Sequence, residues 1–251
     1  MGLDLLRGKV AVITGAHRGI GLAILERFAA YGADVRVVNR RADPDFTARC
    51  RALEQEHGVS IAEVNADFSD EAQVRDAARE LCAMKPAPDI LVNNVGIAGS
   101  TMMFTMTKLE AVRRSFEVNL FSAIALTQAV SRQMMRQRRG SIIFLSSSAA
   151  FDGGAGIDYS ASKAAVIGAA RRMAVELGKF GIRVNALAPG LTRTDMGAVT
   201  SQADQAQAAS RSVLGRIADP CEIADAAAFL ASDLSRFVTG QVLRVDGGIL
   251  R

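Results

Sequence analysis

The sequence predicts an α/β protein built on a parallel sheet with helices on both faces. Three observations carry this. Short β-branched apolar runs alternate with longer stretches of helical periodicity along the 251 residues. The runs are apolar at consecutive positions, as in Val-Ala-Val-Ile-Thr at 10–14, and strands of that kind are buried on both faces. A glycine-rich turn, Thr14-Gly15-Ala-His-Arg-Gly19-Ile-Gly21, stands where the first run gives way to the first helical stretch.

Lys9–Thr14 reads as the first strand. Gly19–Tyr31 then reads as a helix, with Ile20, Ile24 and Phe28 on one face. Asp34–Asn39 is the second strand. Asp43-Pro44 opens a helix, a cap followed by Pro at the first position, which runs towards His57-Gly58. The third strand covers about Ser60–Asn65, and Ser69 caps a helix reaching about Met84. Ile90–Asn93 is the fourth strand, followed by a long helical region over about Lys108–Arg138. Ser141–Ser146 is the fifth strand. A helix over Asp158–Phe180, a strand over Arg183–Ala188, a helix over Pro220–Ala231 and a last strand over Gln241–Val245 complete the order. Thr200–Ser210 is Ala/Gln-rich and weakly patterned, which suits a short helix in a lid. No linker, repeat or low-complexity stretch divides the chain, so residues 1–251 are expected to form one domain.

Hydrophobic content of 49% with 22% charged residues is that of a soluble protein with a sizeable core. The net charge of +4 is spread along the chain without a cationic run, which argues against a nucleic-acid partner. Cys50, Cys82 and Cys221 are odd in number and have no redox or metal spacing, so they read as reduced thiols of a cytoplasmic protein. With His17 and His57 the only histidines, a His-based metal site and a Ser-His-Asp triad are both disfavoured, and no metal is expected. No targeting segment and no stretch of about 20 uninterrupted apolar residues occurs, so no membrane span is expected.

The glycine turn has the chemistry of a phosphate cradle. Glycines let the backbone approach a pyrophosphate, and a helix N-terminus offers free N–H groups and a positive dipole. The second strand ends at Asn39-Arg40-Arg41, with no acid at 39 or 40 to accept from a ribose 2′-hydroxyl. Arg18 and Arg40 could instead clamp a 2′-phosphate, which points to NADP(H). Downstream, Tyr159 and Lys163 stand four apart on a helical pattern and share one face, so an ammonium can tune a phenol for proton transfer.

Taken together, these residues resemble the short-chain dehydrogenase/reductase family over about Leu6–Gly248. The parts occur in family order: TGxxxGxG at Thr14–Gly21, Asp67 after the third strand, NNVG at Asn93–Gly96, Asn119 in the long helix, serines after the fifth strand, YxxxK at Tyr159–Lys163, PGxxxT at Pro189–Thr194 and TGQxxxVDGG at Thr239–Gly248. The resemblance implies a Rossmann-like, doubly wound, seven-stranded parallel sheet. It also implies hydride transfer between a nicotinamide and a carbonyl or alcohol.

By the same resemblance Tyr159 is the general acid or base, and Lys163 lowers its pKa and holds the nicotinamide ribose. Ser147 binds the substrate oxygen, and Asn119 holds a water that relays protons to Lys163. Asp67, with Phe68 beside it, meets the adenine. Thr14, Gly15, His17, Arg18, Gly19, Ile20 and Gly21 form the phosphate turn, followed by Asn39 and Arg40 at the adenosine ribose. Asn93, Asn94, Val95 and Gly96 line the cofactor, with Val95 in place of the usual alanine. Pro189, Gly190, Thr192 and Thr194 complete its nicotinamide end.

Two serines compete for the catalytic place. Counting along the strand from Gly140 favours Ser147, twelve residues before Tyr159, whereas the commoner family spacing of thirteen favours Ser146. Neighbours on a strand point to opposite faces, so one of the two can serve, and the strand register favours Ser147. The intact Asn-Ser-Tyr-Lys set argues for an enzyme over a catalytically silent NADP-binding regulator.

The resemblance places the substrate pocket among Met102, Met103, Phe104 and Met106, then Phe151 and Asp152, then Leu191, Met196 and Val199. Those apolar residues tilt the substrate away from a free sugar. It also implies a homotetramer, for which Ala161, Ala164, Ala165, Gly168 and Ala169 allow close helix approach. An acyl carrier protein is a further candidate partner beside a small-molecule carbonyl or alcohol, through Arg136, Arg138, Arg139, Arg171 and Arg172.

Overall fold

A computed structural model of the chain describes residues 4–100, 102–194 and 202–249. Seven parallel strands form one sheet: β1 (Val10–Thr14), β2 (Asp34–Asn39), β3 (Ile61–Asn65), β4 (Ile90–Asn93), β5 (Gly140–Leu145), β6 (Ile182–Pro189) and β7 (Val242–Val245). Their order is β3-β2-β1-β4-β5-β6-β7. The order reverses between β1 and β4, and in an open α/β sheet that switch point opens a crevice at the carboxyl ends of the strands.

The helices are α1 (Gly19–Ala30), α2 (Pro44–His57), α3 (Glu71–Ala83), α4 (Leu109–Phe116), α5 (Ser122–Gln137), α6 (Ala149–Asp152), α7 (Ile157–Leu177), α8 (Gln202–Arg211) and α9 (Pro220–Ala231). Strand alternation divides the core in two. Ala11, Ile13, Ile90, Val92 and Ile143 face α1, α2 and α9, around the fully buried Phe28. Val12, Leu91, Ile142 and Phe144 face α3, α5 and α7.

Local chemistry explains most element ends. Asp43 caps α2, accepting from Asp45 N and Phe46 N, and Gly58 closes it in the left-handed region at φ 66°. Asp219 and Glu222 form a reciprocal capping box at α9. The expected cap at Ser69 is displaced by one residue: Asp70 accepts from Ala72 N and Gln73 N, while Ser69 turns back to Asp67. A carboxylate in reach of both amides is the stronger acceptor. The helical region expected over 108–138 is not one helix. A π-helical turn, Glu117–Phe121, separates α4 from α5, and Ser122 Oγ donates to the Val118 carbonyl at 2.7 Å. Such bulges gather at functional sites, and Asn119 lies inside this one.

Candidate active site

The cofactor and catalytic candidates lie about the carboxyl edge of the sheet, where β1 to β6 hand over to the segments that follow. At the first of these, Gly15 and Gly19 take positive φ of 69° and 58°. A Cβ at Gly21 would stand 2.0 Å from the Gly15 carbonyl oxygen, so the turn closes on itself only with glycine there. Two residues expected to line the cofactor hold this turn from below. Thr14 Oγ1 accepts from Asn94 N and Val95 N at 2.9 and 3.1 Å. Asn94 Nδ2 donates to the carbonyls of Thr14 and Gly15, both at 2.9 Å. Val95 packs its side chain toward Gly15, and a Cβ on Gly19 would meet Thr194 Cγ2 at 3.2 Å. The Arg18 side chain does not cap α1.

At the end of β2, Asn39 is 4% exposed. Neither its Nδ2 nor its Oδ1 has a partner among the described residues. A buried amide without partners is costly, and a ribose hydroxyl would supply a donor and an acceptor there. Arg40 reaches from Nε to Asp67 Oδ2 at 2.8 Å. The other oxygen of Asp67 accepts from Ser69, whose hydrogen bonds come first in holding the carboxyl below its usual range, with Arg40 adding to them. His17 Nε2 lies 2.9 Å from Asp43 Oδ2. Phe68 is buried in the core beside α3, so its side chain is packing. Ile20 packs partly against the opposite cluster.

At the end of β5 the two serines part. Ser146 turns towards α7, buried, and donates to the Lys163 carbonyl at 2.8 Å. Ser147 Oγ accepts from Ala149 N at 3.2 Å and is the side chain that acts on the Tyr159 phenol. Burial raises the Tyr159 pKa and Ser147 works against that rise. Lys163 is 4% exposed, and its Nζ donates to the Leu145 carbonyl at 2.8 Å. Burial pulls its pKa down to about 8. Lys163 Nζ stands 5.7 Å from the centre of the Tyr159 ring. Burial, opposed by Ser147 alone, leaves the phenol raised, where a lowering by Lys163 was expected.

Asn119 joins the loop after β4 to α7. Its Oδ1 accepts from Ile97 N at 2.8 Å, and its Nδ2 donates to Ser162 Oγ at 3.0 Å. Gly96 leaves room for both neighbours: a Cβ there would stand 3.1 Å from Lys163 Nζ and 3.3 Å from Asn119 Oδ1. Asn93 donates to Thr127 Oγ1 at 2.9 Å. Its Oδ1 has no partner among the described residues. After β6, Gly190 lies against the backbone of Asp246, and Thr192 Oγ1 donates to the Gly190 carbonyl at 3.0 Å. Pro189 ends the strand in register with Val245.

Asp158, Ser115 and Ser162 also join this network and were not anticipated. An acid in the first turn of a helix reads as a dipole complement, so nothing local marks Asp158 as a junction. Met102, Met103, Phe104 and Met106 form an apolar rim after β4, each more than half exposed. Met196 and Val199 lie outside the described residues.

This arrangement can hold a dinucleotide along the switch point and present a phenol to an oxygen. A family profile described as "Enoyl-(Acyl carrier protein) reductase" matches residues 15–250. The chain is 35% identical to the 3-oxoacyl-[acyl-carrier-protein] reductase FabG of Aquifex aeolicus (strain VF5) over 245 residues, 97% of this chain and 98% of that one.

The chain belongs to the short-chain dehydrogenase/reductase family.

As a short-chain dehydrogenase/reductase it is an oxidoreductase of a family that uses a nicotinamide cofactor on carbonyl or CH–OH groups. It is 37% identical to a 3alpha-hydroxysteroid dehydrogenase of Mediterraneibacter gnavus over 244 residues, 97% of each chain. Among solved structures it resembles L-sorbose reductase from Gluconobacter frateurii complexed with NADPH and L-sorbose, at TM-score 0.90 and 31% identity over 99% of both chains. It also resembles a 3-oxoacyl-[acyl-carrier protein] reductase with bound NAD from Brucella melitensis, at TM-score 0.88 and 31% identity over 99% of this chain and 93% of that one. No helix of the described residues is long and apolar enough to cross a membrane.

Proposed function

We propose that this short-chain dehydrogenase/reductase is an NADP(H)-dependent enzyme interconverting an apolar ketone and its secondary alcohol. The observation that carries the reading is the buried Lys163 ammonium, held on the Leu145 carbonyl 5.7 Å from the centre of the Tyr159 ring. Bound nicotinamide supplies the hydride in reduction and accepts it in oxidation. Tyr159 gives its phenolic proton to the substrate oxygen as the carbonyl carbon is reduced, and takes it back in oxidation. Ser147 donates to the same oxygen and orients it. Lys163 stabilises the phenolate left behind, and its ammonium would hold the nicotinamide ribose hydroxyls. Asn119 pins the loop at Ile97.

The unpartnered amide of Asn39 supports an adenosine ribose at the end of β2. Cofactor choice rests on Asn39, which cannot repel a 2′-phosphate, with Arg40 next to it in the chain and Arg18 in the glycine turn. The exposed methionines and Phe104 favour an apolar substrate. A reductase assay with NADPH over a panel of ketones tests this. Turnover confined to sugars, or to NADH, overturns it.

The names of the FabG relatives support a second reading, in which the ketone is an acyl chain on an acyl carrier protein. Within one chain three of the five candidate arginines are otherwise engaged: Arg139 pairs with Asp89, Arg172 with Glu176, and Arg138 donates to the Lys179 carbonyl. Arg138 and Arg139 precede β5, about 20 Å of strand from its carboxyl end. Equal kcat/KM for a carrier-bound and a short soluble acetoacetyl thioester, without salt dependence, removes this reading.

We further propose a homotetramer of a cytoplasmic protein. On α7, Ala164 and Gly168 are exposed, and nothing stands within 4 Å of a Cβ built on Gly168. Phe237 is fully exposed beyond α9. Three unpaired cysteines suit a reducing compartment. A monomer in light scattering at micromolar concentration contradicts the assembly.

A further inference from the structure

Asp158 immediately precedes Tyr159, is 2% exposed, and has no part in the proton transfer proposed above. Its two carboxylate oxygens, Oδ1 and Oδ2, accept from Ser100 N at 3.1 and 3.0 Å. Oδ2 also accepts from Ser115 Oγ at 3.0 Å, and Ser115 itself is 1% exposed. Three segments therefore meet on one buried carboxylate: the loop after β4, helix α4, and the first turn of α7. A carboxylate is withdrawn from water only where donors replace it, and each of these bonds is charge-assisted.

The loop lies on α7 at backbone distance. A Cβ on Gly99 would stand 2.6 Å from Asp158 Oδ1 and 2.6 Å from Tyr159 Cβ. A Cβ on Gly156 would stand 2.1 Å from the Ser100 carbonyl oxygen. Beyond this anchor, Met102 N donates to Ser100 Oγ at 3.0 Å. The rim that follows is 55% exposed at Met102, 72% at Met103 and 75% at Phe104. Side chains so exposed have little packing of their own to place them, so their position depends on where Ser100 is tied.

We propose that Asp158 is a positioning residue which sets where the apolar rim Met102–Met106 stands relative to the Tyr159 hydroxyl, and so selects apolar ketones over small polar ones. The inference rests on the reading of Tyr159 as the proton donor. Its consequence is a change in selectivity, which a merely structural residue would not produce.

The test compares a long-chain methyl ketone with hydroxyacetone in wild type, Asp158→Ala, Asp158→Asn, Ser115→Ala and Tyr159→Phe, with NADPH binding followed by its fluorescence. Asp158→Ala is expected to raise KM for the long-chain ketone about tenfold, the scale of a lost charge-assisted bond. KM for hydroxyacetone and the NADPH dissociation constant are expected to stay within about twofold, as uncoupled sites do. Asp158→Asn keeps an acceptor for Ser100 N and a donor for Ser115 Oγ, and is expected to restore most of the preference. Ser115→Ala is expected to shift the same ratio in the same direction by less, and it carries the comparison if Asp158→Ala does not fold. An unchanged ratio in Asp158→Ala, or in Ser115→Ala standing in for it, overturns the proposal, as does a parallel loss for both ketones and NADPH. Full turnover in Tyr159→Phe overturns the proton-donor reading instead, so the two failures are separable.

Discussion

Arg40 and Asp67 form a bridge across the ends of β2 and β3, with Arg40 Nε and an Nη nitrogen both 2.8 Å from one oxygen of Asp67. Arg40 is 74% exposed there, so the pair itself adds little stability. It does decide what Arg40 can offer a ligand, because the carboxylate offsets the charge meant for a 2′-phosphate. Arg40→Ala is expected to reduce the NADPH-over-NADH ratio of kcat/KM by about tenfold or more, the worth of a charge-assisted bond. Asp67→Asn is expected to raise that ratio, since Arg40 is released. Steady-state kinetics with both cofactors measure the ratio, and opposite signs for the two variants are the outcome expected.

The two serines after β5 should separate cleanly under mutation. Ser147→Ala removes the hydroxyl that acts on the Tyr159 phenol and is expected to cost about a hundredfold in kcat, with NADPH binding kept. Ser146→Ala removes a buried bond to the Lys163 carbonyl and is expected to cost about 1 kcal/mol of stability with most of the activity retained. Denaturant unfolding and turnover, measured on both variants, distinguish the roles.

Tyr159→Phe keeps the ring and loses the proton. It is expected to retain less than about a tenth of kcat, a loss above about 1.4 kcal/mol in the barrier, with cofactor binding nearly unchanged. Single-turnover kinetics with saturating NADPH read this directly.

Lys163 is charged at neutral pH at a cost. Its pKa falls from 10.5 in the open chain to about 8 in the folded one. The unfolded chain then holds the extra proton between those values, so stability should rise with pH from about 8 to 10.5 and be lost as pH falls back through 8. Below that window the cost is on the order of 3 kcal/mol. Lys163→Met is expected to raise Tm at pH 7 by several degrees while abolishing turnover. The reduction rate should also decline above about pH 8, as the ammonium beside Tyr159 is lost. Calorimetry and a pH–rate profile check the two halves.

Gly21→Ala would place a methyl 2.0 Å from the Gly15 carbonyl oxygen. Backbone atoms cannot give way as a side chain tip can, so the turn must open. A fall of at least about a hundredfold in cofactor affinity is expected, with a stability loss of about 1–3 kcal/mol. Titration of NADPH fluorescence measures the first and thermal unfolding the second.

Alternation of apolar runs with helical stretches was enough to read the strands from β1 to β7 in order, because strands buried on both faces advertise themselves as runs. Asp34–Asn39, Ile90–Asn93 and Pro220–Ala231 were legible to the residue, each bounded by turn or cap chemistry in the sequence itself. The spacing of Tyr159 and Lys163 also lies within one helix, so local geometry suffices to put them together. What tertiary structure decided is every relation between segments far apart in sequence. Periodicity could not show that Asn119 sits in a π turn, since one extra residue per turn leaves the apolar pattern almost intact. Nor could strand counting show what Ser146 and Ser147 face, because α7 must be docked on β5 before one of them meets the Lys163 carbonyl. Thr14 and Asn94 read as cofactor contacts by their place in a motif, yet their hydrogen bonds close a gap between β1 and β4 about 80 residues apart in the chain. Asp158 is the clearest case: its neighbours in sequence mark it as an ordinary first-turn acid, and only packing brings Ser100 and Ser115 to its two oxygens. A sequence records local preference residue by residue, whereas a buried polar group takes whatever partners the folded chain places within about 3 Å of it.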